Sequence, residues 1–233
     1  MLRPLAEQLV AVLDVQRGAV AGDVMCDAGV LTSELARAVG ADGTVIACDS
    51  DVALADAAAS AAGGACSAVA QRTDGATLAM DTASCDVVAS LITLPLGHTM
   101  SLLHECGRVL RDDGTLGVLV WDPSAPPAHE AALQQVLEEH GAHSPLLDGL
   151  LASVAIPAGF ATRTLHDVAR LHTFTHLWPA MQGRIADATA SGAALDRDAL
   201  RARYEELMRP YTAVDGTITM PLRATLITDG RAR

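Results

Sequence analysis

Four aspartates follow short apolar runs, at positions where a carboxylate can accept hydrogen bonds from a ligand. They are Asp23 after "AVAG", Asp49 after "TVIAC", Asp74 after "ACSAVAQRT" and Asp122 after "TLGVLVW". If each run is a strand of a parallel sheet, the carboxylates meet outside the carboxyl ends of the strands, where ligands bind in open sheets. A carboxylate there can accept both hydroxyls of a ribose. The alternative is that acids end strands because strands end at the surface.

A histidine and one of these aspartates are the candidates for acid–base catalysis. His98 follows the fourth apolar run in "LPLGH", and Asp122 ends the fifth. Transfer of a group to an oxygen or nitrogen atom often needs a base that removes a proton, and His or Asp commonly supplies it. We therefore predict that His98, and secondarily Asp122, acts in catalysis. A histidine that caps a loop or faces solvent would fit the same position.

A second group of polar and aromatic residues is predicted to line a substrate pocket. Trp121 precedes the last of the four aspartates, and "HTFTHLW" holds His172, His176 and Trp178. The two histidines are four residues apart, so they share one face if the segment is helical. Packing is an alternative interpretation. A metal pair is another, although no third ligand is evident.

The elements that must position these residues alternate between strands and helices in the first half of the chain. The predicted strands are Ala19–Asp23, Thr44–Asp49, a run ending at Asp74, Cys85–Leu94 and Thr115–Asp122. Continuous apolar strands are typical of a parallel sheet covered on both faces. Helical stretches then lead to a sixth strand in "AGFATRTLHDVARL" and to the alternating strand "GTITMPLRATLITDG", which we expect to pair antiparallel.

We expect one α/β domain over residues 1–233, doubly wound, with no linker and no internal repeat. Helical lid elements are predicted at 1–15, at about 125–150 and at 172–210. The segment "MLRPLAEQLVAVLDV" carries Glu7 and Asp14 within its apolar pattern, so it is interpreted as an amphipathic helix and not as a signal peptide.

The composition excludes several classes of partner. With 28 acidic residues against 16 Lys and Arg, and a formal net charge of -12, the chain lacks the basic surface that nucleic acid or an anionic membrane requires. Five cysteines without a CxxC pair indicate free thiols in a reducing compartment, so we expect a cytoplasmic protein. The predicted partner is a small-molecule substrate, no metal is expected, and a homo-oligomer is compatible with the sequence.

Taken in order, these parts resemble the class I S-adenosylmethionine-dependent methyltransferases, in their small-molecule branch. "DVMCDAG" falls on the acidic-x-Gly-x-Gly-x-Gly motif of that family, with Asp23 as the acid and Gly29 as the last glycine. "VIACD" is similar to the motif whose acid holds the ribose, here Asp49, and "RTDG" to the segment whose Asp faces the adenine, here Asp74. The segments "CDVVAS", "RVLRDDGTLGVLVWD" and "AGF" with "MPLRATLITDG" continue the likeness.

The resemblance implies a Rossmann-like, mostly parallel seven-stranded sheet with an antiparallel last strand, and S-adenosylmethionine as cofactor. Two of the three glycine positions depart from the motif, because Met25 and Asp27 stand there. Met25 could occupy the space of the cofactor's amino-acid tail or lie beneath the turn in the core. Asp27 could repel the cofactor's carboxylate by on the order of 4 kcal/mol in a partly dry cleft. It could also face solvent, be protonated, or pair with the ammonium or sulfonium.

The sequence leaves two enzymatic functions and one non-enzymatic function open. The first is methyl transfer from S-adenosylmethionine to an apolar small molecule, since the flanking helices are rich in Leu, Ala and Val. The second keeps the scaffold without the donor and catalyses a cyclisation, dehydration or rearrangement of a small, natural-product-like substrate. The third is a non-catalytic binding protein. Asp23, Gly29, Asp49 and Asp74 favour retention of the donor, whereas Met25 and Asp27 favour its loss.

Overall fold

The computed structural model describes residues 2–92, 99–152, 159–171, 173–190 and 195–229. The strands are β1 (Val20–Val24), β2 (Thr44–Asp49), β3 (Ser67–Arg72), β4 (Cys85–Leu91), β5 (Leu110–Trp121), β6 (Ala161–Leu171) and β7 (Ile218–Thr228). The helices are α1 (Arg3–Val12), α2 (Val30–Val39), α3 (Val52–Ala61), α4 (Thr99–Val109), α5 (Ala128–Glu139), α6 (Pro145–Leu151), α7 (Phe174–Ala180), α8 (Gln182–Ala190) and α9 (Arg197–Met208).

The seven strands form one sheet in the order β3-β2-β1-β4-β5-β7-β6. The strands from β3 to β5 pair in parallel, and the last strands are antiparallel. This confirms the predicted Rossmann-like α/β class. The strand order reverses between β1 and β4, because β2 and β3 lie on one side of β1 and the later strands lie on the other. In an open sheet a ligand binds at such a reversal, outside the carboxyl ends of the strands.

Burial follows the apolar pattern of each strand. Four of the five residues of β1 and six of the seven of β4 are buried, as expected for central strands covered on both faces. In contrast, β3 is only partly buried, because it forms an edge of the sheet. The first residues of β7 alternate between buried and exposed, which confirms the period-two pattern of "ITMPLRA".

The predicted start of β5 at Thr115 was wrong, because the strand begins at Leu110 and follows α4 directly. Its register against β4 pairs Cys85 with Leu110 and shifts before Val87 pairs with Thr115. Such a shift marks an irregularity that inserts residues into one strand of a pair. The composition of "RDDG" is typical of a turn, but pairing with β4 outweighs that local preference.

Contacts divide the chain into two compact units. The sheet unit comprises Leu2–Val120 with Val154–Leu165 and Thr225–Arg233, and the helical unit comprises Trp121–Ser153 and His166–Ala224. The boundary between the units falls within β5, β6 and β7, each of which begins in one unit and ends in the other. The division therefore does not decide the number of domains, and the expectation of one domain stays a prediction. In the part of the chain that the structure describes, no helix has the length and apolar character needed to cross a membrane.

Gly29 is the glycine of the sheet unit on which the packing of helix α3 depends. Its φ is +78°, and an added Cβ would lie 2.6 Å from the Cα of Ala58 and 2.9 Å from the Cβ of Ala61. A contact of that length with backbone forces α3 to move away. Gly64 has a similar φ of +76°, but an added Cβ there meets nothing within 4 Å.

We expect Gly29→Ala to destabilise the protein more than Gly64→Ala. Both variants carry the strain of a left-handed alanine, about 1–2 kcal/mol. Gly29→Ala adds overpacking against α3, about 1–3 kcal/mol more. Urea unfolding of the two variants measures the difference in the free energy of unfolding. Equal losses in the two variants would show that α3 does not depend on a bare backbone at residue 29.

Candidate functional site

The turn between β1 and α2 keeps the backbone of a three-glycine motif although only one glycine is present. The φ angles of Met25, Asp27 and Gly29 are +57°, +46° and +78°. These are the three positions that the acidic-x-Gly-x-Gly-x-Gly motif assigns to glycine. Left-handed backbone is uncommon for residues other than glycine and is strained for a long side chain such as methionine. The conformation of the turn is therefore retained at an energetic cost.

The two substituting side chains leave the turn in different directions. Met25 is buried and belongs to the hydrophobic core cluster that includes Leu78, Met80 and Val88. Asp27 is exposed. Of the possibilities left open by the sequence, the structure places Met25 in the core and the Asp27 side chain toward solvent. Exposure weakens any repulsion by Asp27, because two charges about 4 Å apart in water interact by only about 1 kcal/mol.

Asp23 is completely buried at the carboxyl end of β1. Its Oδ2 accepts a hydrogen bond of 2.5 Å from the Thr32 hydroxyl, and its Oδ1 has no partner among the described residues. Burial raises the pKa of Asp23 to about 7; the bonds from Thr32 lower it, and the nearby carboxylates of Asp49 and Asp27 raise it further. A buried acid of this kind gains most from a ligand that brings a positive charge.

Asp49 ends β2 and ties the turn to the neighbouring strand. Its Oδ2 accepts a hydrogen bond of 3.0 Å from the backbone N–H of Asp27, and its Oδ1 accepts one of 3.1 Å from that of Asp51. The side chain is buried, so its direction is fixed. Each carboxylate oxygen retains a second lone pair with which it can accept a ligand hydroxyl.

Asp74 lies in the loop after β3 and is exposed. Its Oδ1 accepts hydrogen bonds from the backbone N–H groups of Ala76 and Thr77, and these bonds hold the pKa of its carboxyl below the usual value. The carboxylate therefore shapes its own loop. Its predicted contact with an adenine is not tested by this geometry and stays a prediction.

Two side chains of α4 hold the loop that follows Asp74. Arg108 donates hydrogen bonds of 2.9 Å to the carbonyls of Leu78 and Met80, and Glu105 accepts one of 2.9 Å from the Leu78 N–H. The hydrogen bonds from Arg108 hold the pKa of Glu105 at about 2. The loop thus has a fixed path through contacts with its backbone.

The backbone directly after β4, at the strand-order reversal, is strained as well. Ile92, directly after β4, has a φ of +61°, which is a true outlier for a β-branched residue. Its N–H donates a 2.7 Å hydrogen bond to the carbonyl of Leu119 in β5. Strain of this kind is concentrated at functional sites. His98, the predicted base, lies outside the described residues, so its catalytic role stays a prediction.

In the helical unit, Asp122 has partners that hold its carboxylate. Its Oδ1 accepts hydrogen bonds from the N–H and hydroxyl of Ser124, which lower its pKa, and its Oδ2 lies 2.8 Å from Nε of Arg223. A carboxylate with a lowered pKa and two committed oxygens is a poor base. The catalytic role of Asp122 stays a prediction, and the geometry assigns it a turn-forming role.

The predicted pocket residues of the helical unit differ in exposure. Trp121 is buried and meets the ring of His129 edge-on at 6.2 Å, whereas Trp178 is half-buried and stacks on Phe174, also at 6.2 Å. His176 is exposed. His172 lies outside the described residues, which leaves the proposed histidine pair untested. Among the residues that the structure does describe, no group of three or more His, Cys, Asp or Glu is arranged to hold a metal.

Sequence reasoning missed several residues that the structure brings to these places. Thr32 has no motif that marks it, although its position nine residues after Asp23 places it on the helix that follows the turn. Ile92 could not be found from sequence, because a positive φ at isoleucine has no local signal. His129 was overlooked in an ordinary amphipathic helix, since no local pattern shows that its ring meets that of Trp121 at the end of β5.

A groove of about 700 Å³ in the sheet unit lies at the other ends of the strands. It is lined by residues before β1 and at the starts of β4 and β5, among them Arg17, Asp86 and Arg111. Arg111 pairs with Asp86, whose other oxygen accepts the Val20 N–H at 2.7 Å. The aspartates at the carboxyl ends therefore do not face this groove, and the strand-order reversal remains the candidate site.

Residues 22–114 match the methyltransferase domain family. This match covers β1 to the beginning of β5, including the turn, Asp49 and Asp74. No curated protein matches the sequence at a significant level. The family match confirms the resemblance to class I S-adenosylmethionine-dependent methyltransferases that the motifs indicated.

Solved structures share the fold of this chain at low sequence identity. A protein provisionally named a type II methyltransferase from Anaeromyxobacter dehalogenans has a TM-score of 0.63 at 15% identity, covering 97% of this chain and 94% of that one. A protein provisionally named a methyltransferase from Bacillus halodurans C-125 has a TM-score of 0.55 at 14% identity, covering 96% of each chain. The (4+2)-cyclase SpnF has a TM-score of 0.50 at 17% identity, covering 95% of this chain and 80% of that one. These likenesses show the fold alone.

Residues of the sheet unit fit the donor that this family uses. S-adenosylmethionine carries a sulfonium and an ammonium, and the unpartnered Oδ1 of buried Asp23 is an acceptor suited to a cation. Asp49 lies at the carboxyl end of β2, and Gly29 has no Cβ at the end of the turn. The predicted contact of Asp49 with a ribose stays a prediction. Burial of Met25 and exposure of Asp27 weaken the two objections that the sequence raised.

We expect the buried Asp23 to make stability fall with rising pH between its unfolded pKa of 3.8 and its folded pKa of about 7. In that window the folded state keeps a proton that the unfolded state has lost, so the stabilisation present at lower pH disappears as pH rises. Asp23→Asn should remove this decline and gain a few kcal/mol near neutral pH. Urea unfolding across the window measures it, with Asp56→Asn on exposed α3 surface as control. A decline that persists in Asp23→Asn would contradict the assignment.

Proposed function

We propose that the protein is a methyltransferase that transfers a methyl group from S-adenosylmethionine to an apolar small-molecule acceptor. The observation that carries this proposal is the turn after β1, which holds left-handed backbone at residues 25, 27 and 29 although two of these are not glycine. Strained backbone is concentrated at functional sites, so retention of this strain indicates that the turn has a function. The buried acids at the ends of β1 and β2 support the same function.

Under this proposal the residues of the sheet unit have separate roles. Asp49 accepts the ribose hydroxyls, and the conformation of the turn presents backbone N–H groups to the amino-acid tail. Asp23 lies beneath the turn and favours a cationic ligand. Asp74 contributes at the adenine side through the loop that α4 holds. The cofactor supplies an electrophilic methyl group on its sulfonium, so the protein mainly aligns the reactants and excludes water.

If the acceptor atom is an oxygen or a nitrogen, a base is needed to remove its proton. His98 remains the proposed base, because it lies six residues after Ile92, the strained residue that directly follows β4. Asp122 is the weaker candidate, since Ser124 and Arg223 engage both of its oxygens. We retain Trp121, His172, His176 and Trp178 as proposed acceptor-pocket residues.

We expect S-adenosylmethionine to bind with micromolar affinity and Asp49→Ala to abolish that binding. The reason is that the variant removes both the acceptor of ribose hydroxyls and the hydrogen bond to the Asp27 N–H. Isothermal titration calorimetry measures binding, and Asp56→Ala on the exposed surface of α3 is the matched control. Absence of heat and of a thermal shift at millimolar ligand in the unmodified protein would refute the proposal.

We expect the double variant Met25→Gly with Asp27→Gly to bind S-adenosylmethionine more tightly. Glycine relieves the left-handed strain at both positions and removes a negative charge near the cofactor's carboxylate. Because Asp27 is exposed, the gain should be modest, roughly tenfold or about 1.4 kcal/mol. Calorimetric titration of the double variant beside the unmodified protein checks this. Unchanged affinity would show that the two side chains do not affect the site.

The second candidate function uses the same scaffold without the methyl donor. Met25 and Asp27 favour it, because both depart from the glycine motif at the donor turn. The fold-level likeness to a (4+2)-cyclase is compatible with a cyclisation, and dehydration or rearrangement of a small substrate are further possibilities. This function predicts turnover with no dependence on S-adenosylmethionine. A third function, binding without catalysis, predicts no turnover of any small molecule.

A further inference from the structure

The helical unit contains a group of buried polar side chains that lack partners. Trp121, His129 and Glu130 are only 2%, 0% and 1% exposed. Five of the polar atoms on these residues and on Arg184 have no hydrogen-bond partner among the described residues: Nε1 of Trp121, Nδ1 and Nε2 of His129, Oε2 of Glu130 and Nε of Arg184. Buried polar atoms are nearly always paired, so a concentration of unpaired ones in one place requires an explanation.

These four residues, together with Tyr204, form one connected cluster. Glu130 Oε1 lies 2.6 Å from Nη2 of Arg184 and 3.5 Å from Nε2 of His129, the latter at the limit of a hydrogen bond. The ring of His129 meets Trp121 edge-on at 6.2 Å. The hydroxyl of Tyr204 donates a 3.1 Å hydrogen bond to the backbone carbonyl of His129, which fixes the start of α5 against α9.

The charge of the cluster is balanced, which limits the ligands it can accept. Burial raises the pKa of Glu130, but the contacts with His129 and Arg184 outweigh this effect and hold it below its usual value. Glu130 is therefore an anion whose Oε1 pairs with the Arg184 guanidinium. An added carboxylate or phosphate would lie beside this buried anion, and Arg184 is already engaged by it. A neutral hydroxyl fits, because it can accept from the Trp121 N–H and donate to a ring nitrogen of His129.

Aromatic rings adjoin the polar cluster. Tyr204 contacts both Phe174 and Trp178, with ring centroids 5.7 Å apart in each pair, and Phe174 and Trp178 are half-buried. Tyr204 thus links the half-buried rings of Phe174 and Trp178 to the buried polar cluster, through its hydrogen bond to the His129 carbonyl. A flat aromatic ligand gains from contact with such rings. The arrangement matches a molecule with an aromatic body and one neutral polar end.

We propose that Trp121, His129, Glu130 and Arg184 bind the hydroxyl group of a small, neutral, phenol-like molecule. Trp121 ends β5, and the carboxyl ends of strands are where ligands of an open sheet bind. His129 is the central residue, since its Nδ1 has no partner among the described residues and its Nε2 reaches Glu130 Oε1 only at 3.5 Å. Only the identification of this molecule as the methyl acceptor rests on the proposed function. Binding itself requires no donor.

The test uses phenol as the probe, in the absence of S-adenosylmethionine. We expect phenol to bind in calorimetric titrations, and toluene and benzoate to bind at least roughly tenfold more weakly, a difference of about 1.4 kcal/mol. His129→Phe should lose this preference for phenol over toluene. His129→Gln, which retains polar atoms, should keep part of it. His143→Phe, at an exposed histidine of the same unit, is the matched control.

A spectroscopic measurement on the unmodified protein covers the case in which His129→Phe fails to fold. With ¹⁵N-labelled histidine, phenol should shift the ring-nitrogen signals of one buried histidine, identified by their loss in His129→Gln. Absence of any shift at millimolar phenol would mean that the cluster holds only water, and the proposal would be wrong. Equal binding of phenol and toluene, or an unchanged preference in His129→Phe, would overturn it as well. Neither result bears on the binding of S-adenosylmethionine.

Discussion

The left-handed backbone of the turn after β1 is the constraint on which the candidate cofactor site depends. Met25 and Asp27 each carry a conformational cost of about 1–2 kcal/mol, which other contacts must offset. The hydrogen bond from the Asp27 N–H to Asp49 contributes, and so does the burial of the Met25 side chain in the core. Gly29 alone could not be replaced in this way, because α3 leaves no room for a Cβ. Residues other than glycine therefore occur at the two positions where a side chain can be accommodated, in the core for Met25 and in solvent for Asp27.

The chain contains buried carboxylates of two kinds, and their surroundings differ in charge. Asp23 is accompanied by the negative charges of Asp49 and Asp27, with Thr32 as its hydrogen-bond partner. Glu130, by contrast, faces a guanidinium and an imidazole. The first environment favours a cationic ligand and the second a neutral one. The two units therefore have separate electrostatic preferences, each set by local partners and not by the net charge of -12.

The sequence predicted the sheet, its order of elements and the acids at the strand ends, because hydrophobic runs and turn residues are local signals. The sequence left two placements open for the Met25 side chain, in the cofactor space or in the core. The choice depends on packing against β4 and the loop after β3, which a local pattern does not report. The early start of β5 depends on pairing with Cys85, which no local pattern reports. The cluster around His129 depends on the pair of Glu130 with Arg184, 54 residues later in the chain, so only the folded chain reveals it.

The hold of α4 on the loop after β3 has an evolutionary consequence. Arg108 donates hydrogen bonds to the carbonyls of Leu78 and Met80, and Glu105 accepts one from the Leu78 N–H. These are backbone groups, which every amino acid other than proline supplies. Mutations at the outward-facing positions of this loop can therefore accumulate without altering its path. A lineage descended from this chain could diversify what the loop touches while inheriting the same scaffold beneath it.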